Sequence, residues 1–138
     1  MAFDGPGPFD GDACAFLQIE LEEAPEDAEA IIEDMLAGAI EMPYVEVDEG
    51  VWAWIAAELV AHHCGREPER PLPSAFTDVP VKDVSDLVPL AKESLGVIAD
   101  LERSELAQLW SEGNPDPFAQ RLEELQTRLA SVELPADG

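Results

Sequence analysis

The most apolar stretch of the chain runs from Val51 to Cys64, and the predicted fold is built around it. Among its first eleven residues Glu58 is the one polar side chain, and Gly65 follows where a helix usually ends. A helix that is apolar on nearly all sides must be covered by protein on most of them. Fourteen residues are too few to span a bilayer. The pattern therefore predicts a central core helix over 51–64, with a first turn that begins at Asp48 or Glu49.

Two helices are predicted before this stretch. Asp12 suits an N-cap, and a first helix follows over roughly 13–23. Pro25 suits the first turn of a second helix, where the missing N–H is not needed. The buried side of the first helix is predicted to consist of Phe16, Leu17, Ile19 and Leu21. The second helix has apolar residues at helical spacing, namely Ala28, Ile31, Ile32, Met35, Leu36, Ala39 and Ile40.

Three further helices are predicted after the central one. Ser85 or Asp86 begins the fourth, whose apolar spacing runs from Leu87 to Leu101. Ser104 is predicted to cap a fifth helix that ends at Gly113, with Leu106, Leu109 and Trp110 directed inward. Asp116 and Pro117 give a strong start signal for the last helix. Its apolar residues are Phe118, Leu122, Leu125 and Leu129. The fold predicted is an all-α bundle of about six helices.

The segments between and beyond these helices are rich in turn-forming residues. Residues 1–11 contain three glycines and two prolines, and we expect Phe3 and Phe9 to dock this loop on the core. Tyr44, Val45 and Val47 favour a short extended piece before the central helix. Residues 66–82 form a proline-rich loop, either docked or mobile, and residues 133–138 a short tail. The length of the chain predicts one domain over 1–138.

The charge of the chain limits its partners. It carries 31 acidic and 7 basic residues, a net charge of −24, and residues 1–65 contain no Lys or Arg. This charge repels nucleic acid and anionic membranes and attracts basic proteins. We therefore expect no direct nucleic-acid or membrane partner. Two cysteines, with no signal peptide and no long apolar run, predict a cytoplasmic protein without a disulfide framework. The oligomeric state is left open by the sequence.

A dense run of carboxylates precedes the central helix, and it suggests a function. Rigid carboxylates can complement a basic protein or imitate the phosphate rows of a nucleic acid. This favours a non-enzymatic interaction module, of the kind found in immunity proteins, antitoxins or DNA mimics. The alternative is that the charge serves solubility alone. The acidic surface consists of Glu20, Glu22, Glu23, Glu26, Asp27, Glu29, Glu33 and Asp34.

A second candidate site lies at the end of the central helix. Glu58 stands one turn before His62, and a carboxylate there can orient a histidine as a general base. Alternatively, the two can bind a metal with Cys14 or His63. However, His62 and His63 are adjacent and point about 100° apart on a regular helix. A structural histidine hydrogen-bonded to Glu58 is the simpler interpretation. We expect no metal and no cofactor, and enzyme or metal-protein function remains the alternative.

The opening residues resemble a family of small bacterial proteins that is catalogued as a domain of unknown function. The resemblance begins with Gly5, Gly7, Pro8, Phe9, Asp10, Asp12 and Ala13. Asp4 stands where the family usually has tryptophan, and Gly11 where it has asparagine. The resemblance continues through residues 44–50, 56–60 and 104–110. It implies a mostly helical cytosolic protein and no established reaction.

Overall fold

A computed structural model of the chain describes residues 12–64, 85–113 and 116–132. These residues form helices and turns with no β-strand, and six α-helices are present among them, as the sequence predicts. Two short 3₁₀ turns, Pro25–Asp27 and Ser85–Leu87, lead into the second and fourth helices. The helices are α1 (Asp12–Glu23), α2 (Ala28–Glu41), α3 (Val47–His63), α4 (Val88–Ile98), α5 (Glu105–Glu112) and α6 (Asp116–Ala130).

Helix α3 is the centre of the bundle, because it packs against each of the other five described helices. From Ala53 to Ala61 every residue of α3 is buried, including Trp54. Burial of each large apolar side chain in such a core contributes roughly 2 kcal/mol to stability. The helix begins at Val47, slightly before the predicted turn at Asp48 or Glu49. Those two acids lie in its first turn, where the helix dipole favours negative charge.

The surrounding helices present one apolar face each to the core. In α2, Ile32 and Leu36 are buried one turn apart, while Ile31, Met35 and Ile40 are half-buried at the edges of the same face. The other helices repeat the pattern. Fully or nearly buried residues in α4 and α6 include Ala91, Leu95 and Ile98, and Leu122, Leu125 and Leu129.

The linker before α3 and the turn before α5 bind each other. We call this contact the clasp; it joins residues 44–47 to residues 103–108. The Val45 N–H donates to the Arg103 carbonyl at 2.7 Å, and the Glu105 N–H donates to the Val45 carbonyl at 2.9 Å. The extended piece predicted for Tyr44, Val45 and Val47 is therefore a single parallel bridge between Val45 and Ser104, and Val47 already belongs to α3.

Side-chain hydrogen bonds complete the clasp at the starts of α3 and α5. The Glu105 carboxylate accepts a hydrogen bond from the Val47 N–H at 3.0 Å, so α5 caps the start of α3. The Tyr44 hydroxyl donates to Gln108 Oε1 at 2.7 Å. Ser104 caps α5 as predicted, since its hydroxyl accepts from the Ala107 N–H at 3.2 Å.

Ile19, predicted to face the core, and Leu101, predicted to belong to the fourth helix, are both exposed. Ile19 is 53% exposed because it lies two positions from both Leu17 and Leu21, which are buried. Two residues correspond to about 200° of helix rotation, so Ile19 points away from the core. Leu101 is 54% exposed because α4 ends at Ile98. The Asp100 carboxylate then accepts from the Glu102 N–H at 2.8 Å and forms a turn.

Several predictions concern residues outside the described ranges. These are the docked loop over 1–11, the proline-rich loop over 66–82 and the tail over 133–138. The side chains of Phe16 and Phe118 also lie outside the described part. None of the helices formed by the described residues combines the length and the apolar composition needed to cross a bilayer.

Candidate functional site

The acidic surface occupies three consecutive elements, namely α1, the 3₁₀ turn Pro25–Asp27 and α2. Seven of its eight carboxylate residues are exposed to solvent, and Glu20 is half-buried. Positions between them supply the core, since Leu21, Ala28 and Ile32 are buried. The same helical periodicity that buries one face therefore presents the carboxylates on the other.

The backbone that carries these carboxylates is held by packing and by hydrogen bonds. Leu17 and Leu21 anchor α1 on the core, and α1 packs on α3. At the turn, the Ala24 N–H donates to the Glu20 carbonyl at 3.2 Å, and the Asp27 N–H donates to the Ala24 carbonyl at 3.0 Å. The carboxylates therefore project from a backbone whose conformation is held by core packing and by hydrogen bonds.

The electrostatic character of this surface follows from the sequence around it. Residues 12–64 contain no Lys or Arg, so no lysine or arginine of α1, α2 or α3 offsets the charge of the acidic surface. Glu29 and Glu33 lie four residues apart on α2, where like charges repel across one helical turn. Glu22 accepts a hydrogen bond from the uncharged Gln18 amide at 3.1 Å. A cationic partner would relieve the repulsion among these groups.

Exposed Ile19 adds an apolar group beside these carboxylates. It precedes Glu22 and Glu23 by three and four residues, so the three side chains share one side of α1. The sequence prediction places Ile19 in the core and does not find this arrangement. Its position midway between Leu17 and Leu21 was the signal, because residues two apart on a helix face different directions.

The structure adds a basic residue to the alternative site of Glu58, His62 and His63. The Glu58 carboxylate lies 2.8 Å from Arg128 Nη2 on α6. Both side chains are only 11% exposed. Arg128 also binds Glu124, one turn earlier on α6, through Nη2 at 2.8 Å and through Nε. The ion pair therefore connects the central helix to the last one.

Burial dominates the electrostatics of Glu58. Removal from water raises the pKa of its carboxyl above the ordinary value, and the opposing attraction of Arg128 does not cancel this effect. Sequence reasoning did not find Arg128. The available signal was the single carboxylate in an apolar helix, since a buried carboxylate requires a cation or a proton. Nothing in the spacing selects one of the seven basic residues as its partner.

The two histidines end α3 and are half-buried. Their ring centroids are 4.9 Å apart in an edge-on arrangement. Burial, followed by the neighbouring His62, lowers the pKa of His63. Among the described residues, no three His, Cys, Asp or Glu side chains converge closely enough to hold a metal ion. The side chain of Cys14 lies outside the described part, whereas Cys64 is half-buried.

Comparison with known proteins gives one match. A family model described as "Domain of unknown function (DUF4259)" matches residues 4–124. None of the curated proteins and none of the solved structures matches the chain. The matched range contains the acidic surface, both halves of the clasp and Glu58, and it ends four residues before Arg128.

Proposed function

Since the chain belongs to the DUF4259 family, whose description names no activity, we propose a function from its own residues. The protein is a non-enzymatic interaction module that binds a basic partner protein through the acidic surface. The observation that supports this most strongly is the exposure of the carboxylates on packed helices within a segment that contains no Lys or Arg.

The geometry suits capture of a cationic partner for two reasons. Charges on a fixed backbone lose little conformational entropy on binding, and they accelerate encounter with an oppositely charged surface. Carboxylates alone give little net affinity, because exposed ion pairs contribute less than about 1 kcal/mol each. Ile19 supplies the apolar contact that an interface centre needs, with charges around it.

This arrangement also defines the partner in chemical terms. The partner presents Lys or Arg side chains around an apolar pocket or patch that receives Ile19. An immunity or inhibitor role, in which the module covers a basic site of another protein, is one version of the proposal. A nucleic-acid mimic is another, in which the carboxylates occupy a surface that otherwise binds phosphates.

Affinity capture from the native lysate tests the proposal. The wild-type chain is immobilised and compared with two variants that change the net charge equally. Glu33→Lys/Asp34→Lys alters the acidic surface, while Glu102→Lys/Glu112→Lys alters two exposed residues outside it. We expect the wild type and the second variant to retain a basic protein at ~50 mM salt and release it by ~300 mM, because screening weakens exposed charge pairs.

The first variant is expected to lose the same protein. Equal loss in both variants would show that net charge, rather than this surface, attracts the partner. No partner at either salt concentration would contradict the proposal and favour a charge that serves solubility alone. A Glu58→Gln variant distinguishes partner binding from the enzymatic alternative. Capture of the partner should survive this change, whereas a general-base role for Glu58 would require the carboxylate.

A further inference from the structure

An open apolar pocket of about 450 Å³ lies between α4, α5 and α6. Its floor is formed by Leu95, Ala107 and Leu122, which are buried in the core. Small residues widen it, notably Gly96 and Ala119. Apart from its chain neighbours and the backbone of its own helix, no atom of the described residues lies within 4 Å of the position that a Cβ on Gly96 would occupy. This volume lies within the range of sites that bind small molecules.

Exposed Leu101 extends the apolar wall of the pocket to the surface. This residue also lines the pocket, and more than half of its surface is in contact with water. A ligand with an apolar body would cover Leu101 together with the floor. Removal of this apolar area from water is the driving force for binding.

The polar groups at the pocket offer more hydrogen-bond acceptors than donors, because the Ser111 hydroxyl has used its single hydrogen and the Gln126 amide one of its two. The Ser111 hydroxyl donates to the Gln108 carbonyl at 2.7 Å. The Gln126 amide donates to the Lys92 carbonyl at 3.0 Å. Glu123 contributes an exposed carboxylate. A ligand that matches this lining therefore carries donor hydrogens and positive charge beside its apolar body.

We propose that this pocket binds a small apolar molecule with a protonated amine. The amine approaches Glu123, and the hydrocarbon part enters between Leu95, Ala107 and Leu122. A fatty acid of the same shape is excluded, because its carboxylate meets acceptors and another carboxylate in a chain of net charge −24. The site is built from α4, α5 and α6, and it does not depend on the function proposed for α1 and α2.

A calorimetric titration of the full chain with three matched probes tests the charge preference. Octylamine, 1-octanol and octanoate share one apolar body and differ in their head group. We expect octylamine to bind most tightly, octanol more weakly, and octanoate not measurably. Glu123→Gln should weaken octylamine by roughly three- to tenfold, as expected for one exposed ion pair, and leave octanol unchanged. Octanoate binding as tight as that of octylamine would overturn the proposal.

Two glycine variants test the location. Gly96→Leu fills pocket volume and should weaken octylamine at least about tenfold. Gly38→Leu is the control, because Gly38 is also helical with open space at its Cβ position, but lies on α2 away from the pocket. If Gly96→Leu fails to fold, octylamine is titrated into the wild-type protein instead. NMR shift changes at the Ala107 and Ala119 methyls would then show that octylamine binds in the pocket. Undisturbed methyls, equal effects of both variants or no binding of any probe would refute the site.

Discussion

Glu58 shows how a single buried charge determines the environment around it. It lies in a helix that is predicted to be covered on most sides, and it is itself buried. Its partner could not be predicted, because Arg128 is distant in sequence and reaches Glu58 only through the packing of α6 on α3. The separation of the two residues makes the ion pair a sensitive reporter of that packing.

Removal of the cation should destabilise the protein strongly. Arg128→Met leaves a buried carboxylate without its ion-pair partner, which typically costs about 3 kcal/mol. Chemical denaturation should show a much smaller loss for Glu58→Gln, because the amide can still accept from Arg128. The double variant Glu58→Leu/Arg128→Met should be close to wild type in stability. A large loss in the double variant would mean that the ion pair itself stabilises the fold.

The raised pKa of Glu58 makes stability depend on pH in a defined direction. In the unfolded chain this carboxyl titrates near 4.5, and in the folded protein it binds its proton up to a higher pH. The folded state therefore holds more protons above pH 4.5, so the contribution of this group is lost as pH rises through the folded pKa. The free energy of unfolding of wild type relative to Glu58→Gln should fall across that window. A rise would indicate that Arg128 outweighs burial.

At the scale of elements, the clasp explains why two distant segments belong together. Residues 44–50 and 104–110 both lie within the range matched by the family model, and the structure brings their starts into contact at Val45 and Ser104. The cap at Ser104 was predictable because capping is local. The bridge was not, since strand-like pairing across about sixty residues leaves no periodic signal.

Arg103 should stabilise the fold by connecting the clasp to the end of α2. Its guanidinium donates to the carbonyls of Ile40 and Met42 at 2.9 and 2.8 Å, where the helix ends. Arg103→Met should lower the free energy of unfolding by about 1–2 kcal/mol, because two half-buried carbonyls lose charged donors. The control is Arg121→Met, a matched change at an exposed residue. Equal effects of the two variants would contradict this role.

At the scale of the molecule, composition predicts charge but not its arrangement. The eight residues of the acidic surface, on α1, the 3₁₀ turn and α2, are predicted to face water, and seven of them are exposed. The prediction that Ile19 faces the core is wrong, because apolar character alone does not distinguish a core face from an exposed one. The pocket between α4, α5 and α6 was also beyond prediction, since its shape depends on how three helices pack.

The acidic surface should oppose stability while it supports binding. Glu33→Lys/Asp34→Lys relieves like-charge repulsion and places a lysine four residues after Glu29. At low salt we expect thermal denaturation to show a gain of about 0.5 kcal/mol, typical of one helical charge pair. The gain should shrink at high salt. A loss of stability would instead identify these two carboxylates as structural.

The central claim is that one surface, rather than the total charge, captures a basic partner. The association rate of the captured protein, measured at low and high salt for the two charge-matched variants, tests it most directly. The account predicts that Glu33→Lys/Asp34→Lys slows association about tenfold at low salt, while Glu102→Lys/Glu112→Lys changes it about twofold or less. Equal slowing by both variants, or a rate that does not respond to salt, would contradict it.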